Sequence, residues 1–144
     1  MGFVIGRVGH VMAMAFDREM DKFGIRTLHL GLMSAVRSFG PLSQQRLAEY
    51  LGADRATVAA LIDDLEAKDL AIRRPVLGDR RARAVSLTDE GLRLHSRADA
   101  AAREHERRVF SKLTEAERTQ LRTMMLKLRP LPKMFLPPES SDTG

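Results

Sequence analysis

Five arginines, Arg73, Arg74, Arg80, Arg81 and Arg83, fall within the twelve residues from Ile72 to Arg83, against a single acid, Asp79. That stretch holds four of the five net positive charges of the chain, and the remainder is nearly balanced. A guanidinium offers a fork of donors matched to phosphate oxygens, and charge gathered at one place forms a local projection rather than a general polyanion coat. Nucleic acid is the first partner to consider.

The other chemistry-bearing residue types make weaker patterns. His10, His29, His95 and His105 include no pair three or four residues apart, so their spacing supports no metal site, and surface or core packing is the simpler reading. The absence of cysteine removes a disulfide framework, a thiolate zinc site, a cysteine nucleophile and a thiol redox switch, and it suits a reducing cytoplasm. Asp63 and Asp64 are neighbours on a helix and point about 100° apart, so they do not converge as an acid–base pair. There is no phosphate-binding glycine loop and no G-x-S-x-G elbow. These patterns predict neither catalysis nor a bound cofactor or metal. Met12, Met14, Met20 and Met33 toward one end, and Met124, Met125 and Met134 toward the other, could in principle sense oxidants through sulfoxide formation. Adaptable packing is the simpler account.

A length of 144 residues, 44% of them hydrophobic and 30% charged, fits one domain with a real core. No apolar run approaches the ~18 residues of a membrane span, and the N-terminus lacks a signal-peptide layout. The expected fold class is mainly α with a small β-hairpin. Phe3 to Lys22 reads as a helix whose apolar residues (Val4, Ile5, Val8, Val11, Met12, Met14, Ala15, Phe16) cover more than one stripe, with Gly24 as its stop. A second helix, Arg26 to Phe39, turns Leu28, Leu32, Ala35 and Val36 inward and ends at Gly40-Pro41.

Two short helices follow. Ser43 caps Gln44–Leu51; after a break at Gly52-Ala53, Asp54 caps a helix running to about Asp69. In that helix Val58, Leu61, Ile62 and Leu65 form an apolar stripe, and the reverse face carries Arg55, Ala56, Thr57, Ala59, Ala60, Asp63 and Asp64. Two helices about a glycine turn, the second with a small and polar outer face, spell helix-turn-helix. The period then becomes two. Ile72–Val76 and Arg83–Leu87 read as strands, with Gly78–Arg81 as the turn, and Pro75 marks an edge strand. A basic hairpin directly after a helix-turn-helix is a wing.

Thr88 or Asp89 caps a long helix to about Lys112, and Thr114-Glu115-Ala116-Glu117 is a capping box opening a last helix of about fifteen residues. Leu121, Met124, Met125, Leu128, Leu131, Met134, Phe135 and Leu136 are too apolar for a free terminus, while Pro130, Pro132, Pro137 and Pro138 prevent helix continuation. The organisation expected is one domain over 1–144. Helices 3–24 and 114–136 dimerise, 26–88 forms the DNA-binding lobe, 89–113 connects them, and 139–144 is a disordered tail. Apolar surface at both ends points to a homodimer reading two half-sites about 34–36 Å apart.

The order of elements, with Asp79-Arg80-Arg81-Ala82-Arg83-Ala84-Val85-Ser86-Leu87-Thr88-Asp89-Glu90-Gly91, resembles the MarR family of bacterial transcription regulators. The match is to that family's wing signature, D-x-R followed by strand residues and L-T-x-x-G. Leu47-Ala48-Glu49-Tyr50-Leu51-Gly52 and Val58, Leu61, Ile62, Asp63 and Leu65 also fit, so the resemblance covers about 23–128. It implies a winged helix-turn-helix fold and a homodimer on a pseudo-palindromic operator in double-stranded DNA, usually repressing a neighbouring gene. Recognition helices would enter successive major grooves and wings the flanking minor grooves. By this analogy Arg81 is the wing-tip residue and Asp79 braces it; a narrow minor groove concentrates negative potential, so an arginine there reads groove width. Relatives also bind small aromatic or phenolic acids between dimerisation helices and DNA-binding lobe. His10, Met14, His29, Met33 and Arg37 could line such a cleft here.

The chain departs from the family where relatives carry Arg or Lys near Ala60 and Asp64, and at Asp69, where they often have glycine. Asp63 and Asp64 place two acids on or near the DNA side of the recognition helix. Base reading is therefore expected from Arg55, Ala56 and Thr57, with Ala59 against a thymine methyl. Phosphate contacts are expected from Ser43 and Gln44, and DNA contacts from Arg73, Arg74, Arg80, Arg81 and Arg83. The function expected is a sequence-specific, ligand-responsive repressor. Two alternatives are a sequence-indifferent architectural DNA binder and a winged-helix protein–protein module.

Overall fold

The computed structural model describes residues 1–76 and 79–128; of residues 79–82 it describes the backbone alone. The elements run α1 (Gly2–Asp21), α2 (Thr27–Phe39), β1 (Leu42–Ser43), α3 (Gln44–Leu51), α4 (Arg55–Ala67), β2 (Ala71–Val76), β3 (Asp79–Leu87), α5 (Asp89–Val109) and α6 (Glu115–Leu128). The mainly helical architecture with a small sheet is the one expected.

Helix ends lie where side-chain oxygens can take orphan amides. Ser43 Oγ accepts from the Arg46 amide, Asp54 Oδ1 from Thr57 N at 2.8 Å, and Thr88 Oγ1 from Gly91 N. Between the two alternatives at the start of α5, the cap is Thr88. In the Thr114–Glu117 box each residue bonds the other's backbone amide. The start of α2 is capped from outside: Asp17, on α1, accepts from the Thr27 amide and hydroxyl. Gly24, Gly40 and Gly52 take positive φ, as does Asp69 at 56°, the position where the resemblance often has glycine.

Helix α2 lies at the centre, packed by α1, α3, α4, α5 and the sheet. Most of its surface is therefore buried, His29, Leu30, Gly31, Leu32, Met33, Ala35 and Val36 included, instead of one stripe. Met20, Ile25, Leu47, Val58, Ile62, Leu65 and Val85 complete the core.

The sheet is antiparallel in the order β1-β3-β2, so Pro75 does stand on an edge strand. Strand β1 was not anticipated. Leu42 and Ser43 pair with Val85 and Ala84, and two residues are too few to show a period in sequence. The hairpin also differs from expectation. β3 begins at Asp79, so Asp79, Arg80 and Arg81 belong to a strand rather than to the turn, with Val76 opposite Asp79 and a register shift between Pro75 and Val76. The shift sets the single pair Val76–Asp79 beyond Pro75–Arg83, a bulge on the β3 side that the sequence pattern did not announce. Helices α4 and α5 end at Ala67 and Val109, two and three residues short of the sequence reading, where Lys68 and Phe110 take caps.

The first and last described helices leave apolar side chains in water. Phe3 is 81% exposed, Val4, Val8, Val11 and Met14 are exposed along α1, and α6 buries none of its residues while exposing Leu121, Met124, Met125 and Leu128. The apolar and proline-rich stretch from Pro130 to Pro138, the end of the expected dimerisation segment at 136, and the tail 139–144 lie outside the described residues.

Candidate nucleic-acid interface

Helices α3 and α4 are joined at their N-termini. Gln44 Nε2 donates to the carbonyl of Arg55 at 3.1 Å, and Arg55 Nη2 donates to Gln45 Oε1 at 3.3 Å. Both bonds are exposed, so the Arg55 side chain starts from a defined orientation that water or DNA can replace. Ala56 is exposed beside it. Thr57 is half-buried, and its hydroxyl donates to Asp54 Oδ2 at 2.8 Å. Backbone and hydroxyl bonds from Thr57 together hold the Asp54 carboxyl below its ordinary pKa, so the cap stays charged. Ser43 and Gln44 are half-buried, with Ser43 Oγ committed to the cap, and Ala59 is half-buried further along α4.

The wing arginines divide by environment. Arg74 and Arg83 are exposed. Arg74 stands opposite Ala84, and Arg83 opposite Pro75, so by strand alternation they occupy opposite faces of the hairpin. Arg80 and Arg81 follow Asp79 on β3. Arg73 is different. Its side chain is only 26% exposed: Nη2 lies 2.7 Å from Asp63 Oδ1, and Nη1 pairs with Glu66. Burial works against its charge, but the two carboxylates outweigh that and push its pKa above the ordinary arginine value. The expectation of a direct DNA contact from Arg73 meets a side chain already engaged within the molecule.

The two acids of α4 are also less available than their position on the helix suggested. Asp63 is exposed but paired with Arg73. Asp64 turns toward the α1–α2 junction, where Lys68 Nζ lies 2.6 Å from it and also donates to the carbonyl of Gly24 at 2.9 Å. The bond from Lys68 keeps the Asp64 carboxyl below its ordinary pKa. The recognition helix therefore presents a nearly neutral outer face. The Asp64–Lys68 pair stands at i, i+4 and so is written in the sequence, whereas Arg73 reaches Asp63 across a turn that sequence does not resolve.

The residues expected to line an effector cleft are not gathered. His29 and Met33 are core residues, 2% and 0% exposed, because α2 is covered on nearly every side, whereas His10, Met14 and Arg37 are exposed. His29 Nδ1 accepts from the Arg26 amide at 3.0 Å, and its Nε2 lies 3.2 Å from Asp64 Oδ2 without hydrogen-bond geometry. Burial lowers its pKa, which keeps the ring neutral. Arg37 borders a hollow of about 170 Å³ with Val36, Pro41, Ser86 and Leu92. A larger hollow, about 380 Å³, lies between α5 and α6 among Arg103, Glu106, Arg107, Phe110 and Arg118, and none of the five expected residues lines it. Among the described residues no group of three His, Cys, Asp or Glu could hold a metal ion.

Two positions in this region were missed in sequence. Gln45 orients Arg55, and Glu66 holds both the amide and the guanidinium of Arg73. Neither carries a local signal, since each partner comes from another element.

Residues 23–82 match the model of the MarR family. The transcriptional regulator PecS of Dickeya dadantii is 28% identical over 124 residues, covering 84% of this chain and 75% of that one. The transcriptional repressor MdtR of Bacillus subtilis is 31% identical over 110 residues, covering 76% and 71%. Among solved structures, CouR from Rhodococcus jostii RHA1 bound to p-coumaroyl-CoA superposes with a TM-score of 0.75 at 23% identity, covering 88% of this chain and 89% of that one.

Proposed function

The chain belongs to the MarR family, making it a DNA-binding transcription regulator, and we propose that it works as a homodimeric, effector-responsive repressor on a two-fold-related operator. The observation that carries this reading is the capped pair α3–α4 joined directly to a hairpin with exposed arginines on both faces. An α-helix fits the major groove, and a basic ribbon beside it reaches the adjoining phosphates or minor groove. The family is one of transcription regulators rather than enzymes. Among the described residues no helix is long and apolar enough to cross a membrane; we place the protein in the cytoplasm, with its DNA.

In this reading Arg55 and Ala56 face bases, with Thr57 and Ala59 at the margin of the contact. Ser43 and Gln44 take phosphate near the N-terminus of α3. Arg74, Arg80, Arg81 and Arg83 serve the wing, Arg81 entering the minor groove with Asp79 as its brace. Helices α1 and α6 pack on their copies in the second protomer, which is supported by the apolar side chains both leave in water. An aromatic or phenolic effector would act by favouring one spacing of the two DNA-binding lobes over another. The bound p-coumaroyl-CoA of CouR supports that class of ligand, and the hollow beside Arg37 supplies a cation for its acidic group.

The test is binding of the dimer to the DNA upstream of its own gene, with random DNA as competitor, at two salt concentrations. Retention under competition with a salt slope of several phosphates is expected. Equal loss to random DNA would indicate an architectural binder, and no binding at low salt a protein-docking module.

A further inference from the structure

Strand β2 leaves helix α4 through the short turn at Asp69-Leu70, and Arg73 bridges the two elements just beyond it. Its backbone amide donates to Glu66 Oε1 at 2.7 Å and its Nη1 to Glu66 Oε2. Nη2 lies 2.7 Å from Asp63 Oδ1 and reaches the Ala59 carbonyl at 3.4 Å. Ala59, Asp63 and Glu66 stand at i, i+4 and i+7, so a single guanidinium spans two turns of the recognition helix. Arg74 and Arg83 on the same hairpin are exposed. A phosphate could take Arg73 only by stripping it from two carboxylates.

We propose that Arg73 is a positioning residue: it locks the root of the wing to helix α4 and screens Asp63 and Glu66 from DNA, so that it acts on operator choice through Glu66. This rests on the DNA-binding reading above. Two elements that enter neighbouring grooves must hold a fixed separation; the turn at Asp69-Leu70 is tied to α5 through Thr88, and Arg73 adds the tie between the strand beyond it and α4. Freed of Arg73, the two carboxylates would face phosphate, and the wing would lose its register with the helix.

The test uses a duplex enriched from a random-sequence pool by the wild-type dimer, compared with unselected duplex across a salt series. Arg73→Gln and Glu66→Gln should both lower the preference for the enriched duplex by about tenfold, the order of a mismatched base pair. Both should leave the salt slope unchanged, whereas Arg83→Gln should lower the slope by about one. Amide exchange in the free dimer is read alongside, and both variants should speed exchange at residue 73. Three results would overturn the proposal. The first is a slope reduced by about one in Arg73→Gln with equal loss on both duplexes, which marks a phosphate contact. The second is tighter binding of Glu66→Gln to both duplexes, as removal of a merely repulsive acid would give. The third is unchanged exchange at residue 73 in Glu66→Gln, which denies the lock without reference to DNA. A wild-type dimer that enriches no sequence would overturn the DNA-binding reading, and the proposal with it.

Discussion

Two histidines show how one side chain can carry a solution property of the whole protein. His29 and His95 are buried, and burial lowers the pKa of each below the ordinary 6.5. His95 Nε2 lies 2.9 Å from Ser34 Oγ, while its Nδ1 has no hydrogen-bond partner among the described residues. The folded state favours the neutral rings, so the unfolded chain takes up protons first as pH falls. Their contribution to stability is therefore complete above about 6.5 and is lost as pH drops through the lowered folded-state values. The thermal midpoint should fall between pH 7.5 and 5.5, and His95→Gln should flatten that dependence; an unchanged slope in the variant would remove His95 as its source. The carboxylates with lowered values, Asp54 and Asp64 among them, act in a separate window below the ordinary carboxylate range. On the wing, Arg81→Ala should weaken operator binding at matched salt while sedimentation shows an intact dimer. Unchanged affinity would reject the wing-tip role.

At the scale of elements, the wing signature combines two kinds of requirement. In the function proposed above its arginines concern DNA, but its closing glycine concerns packing. A Cβ at Gly91 would stand 1.9 Å from the carbonyl oxygen of Leu70, so helix α5 starts in direct contact with the backbone that leads into the wing. The Leu70 carbonyl also accepts from Thr88 N, and Thr88 Oγ1 donates to the carbonyl of Asp69 at 2.6 Å. Neither side can yield without breaking these bonds. Gly91→Ala should cost at least the ~1–3 kcal/mol of ordinary overpacking. Thermal unfolding would show a midpoint lower by several degrees; a wild-type midpoint would mean that α5 can shift freely. The signature's L-T-x-x-G was visible in sequence, whereas the reason for its glycine was not.

At the scale of the whole molecule, α1 and α6 leave apolar faces bare in the isolated chain. Full burial of an aliphatic or aromatic side chain yields about 1.5–3 kcal/mol, so the exposed residues of α1 and α6 represent a large unused driving force. Val8→Glu should shift the protein toward monomer in sedimentation equilibrium and weaken operator binding, since each lobe would then bind a half-site alone. A variant that remains fully dimeric would place the interface elsewhere. Helix α5 packs on α1 and α2 and leads from the sheet to α6, so in the dimer proposed above a change in packing has a direct route to the spacing of the recognition helices.

Local physical rules made much of the design legible in advance. Caps at Ser43, Asp54, Thr88 and Thr114, the stripe of Val58, Leu61, Ile62 and Leu65, the edge proline and the arginine cluster each act within a few residues, and such signals survive in a linear string. Contacts that close over long separations decided the rest. The two-residue strand Leu42–Ser43 exists because Ala84 and Val85 are there to pair with it. His29 and Met33 belong to the core because α2 has neighbours on nearly every side. The arginines looked alike in sequence, yet Arg73 is engaged by Asp63 and Glu66 while Arg74 remains in water. Sequence determined which residues could meet DNA; the folded chain decided which of them were free to do so, since a charge binds the nearest counter-charge the fold presents.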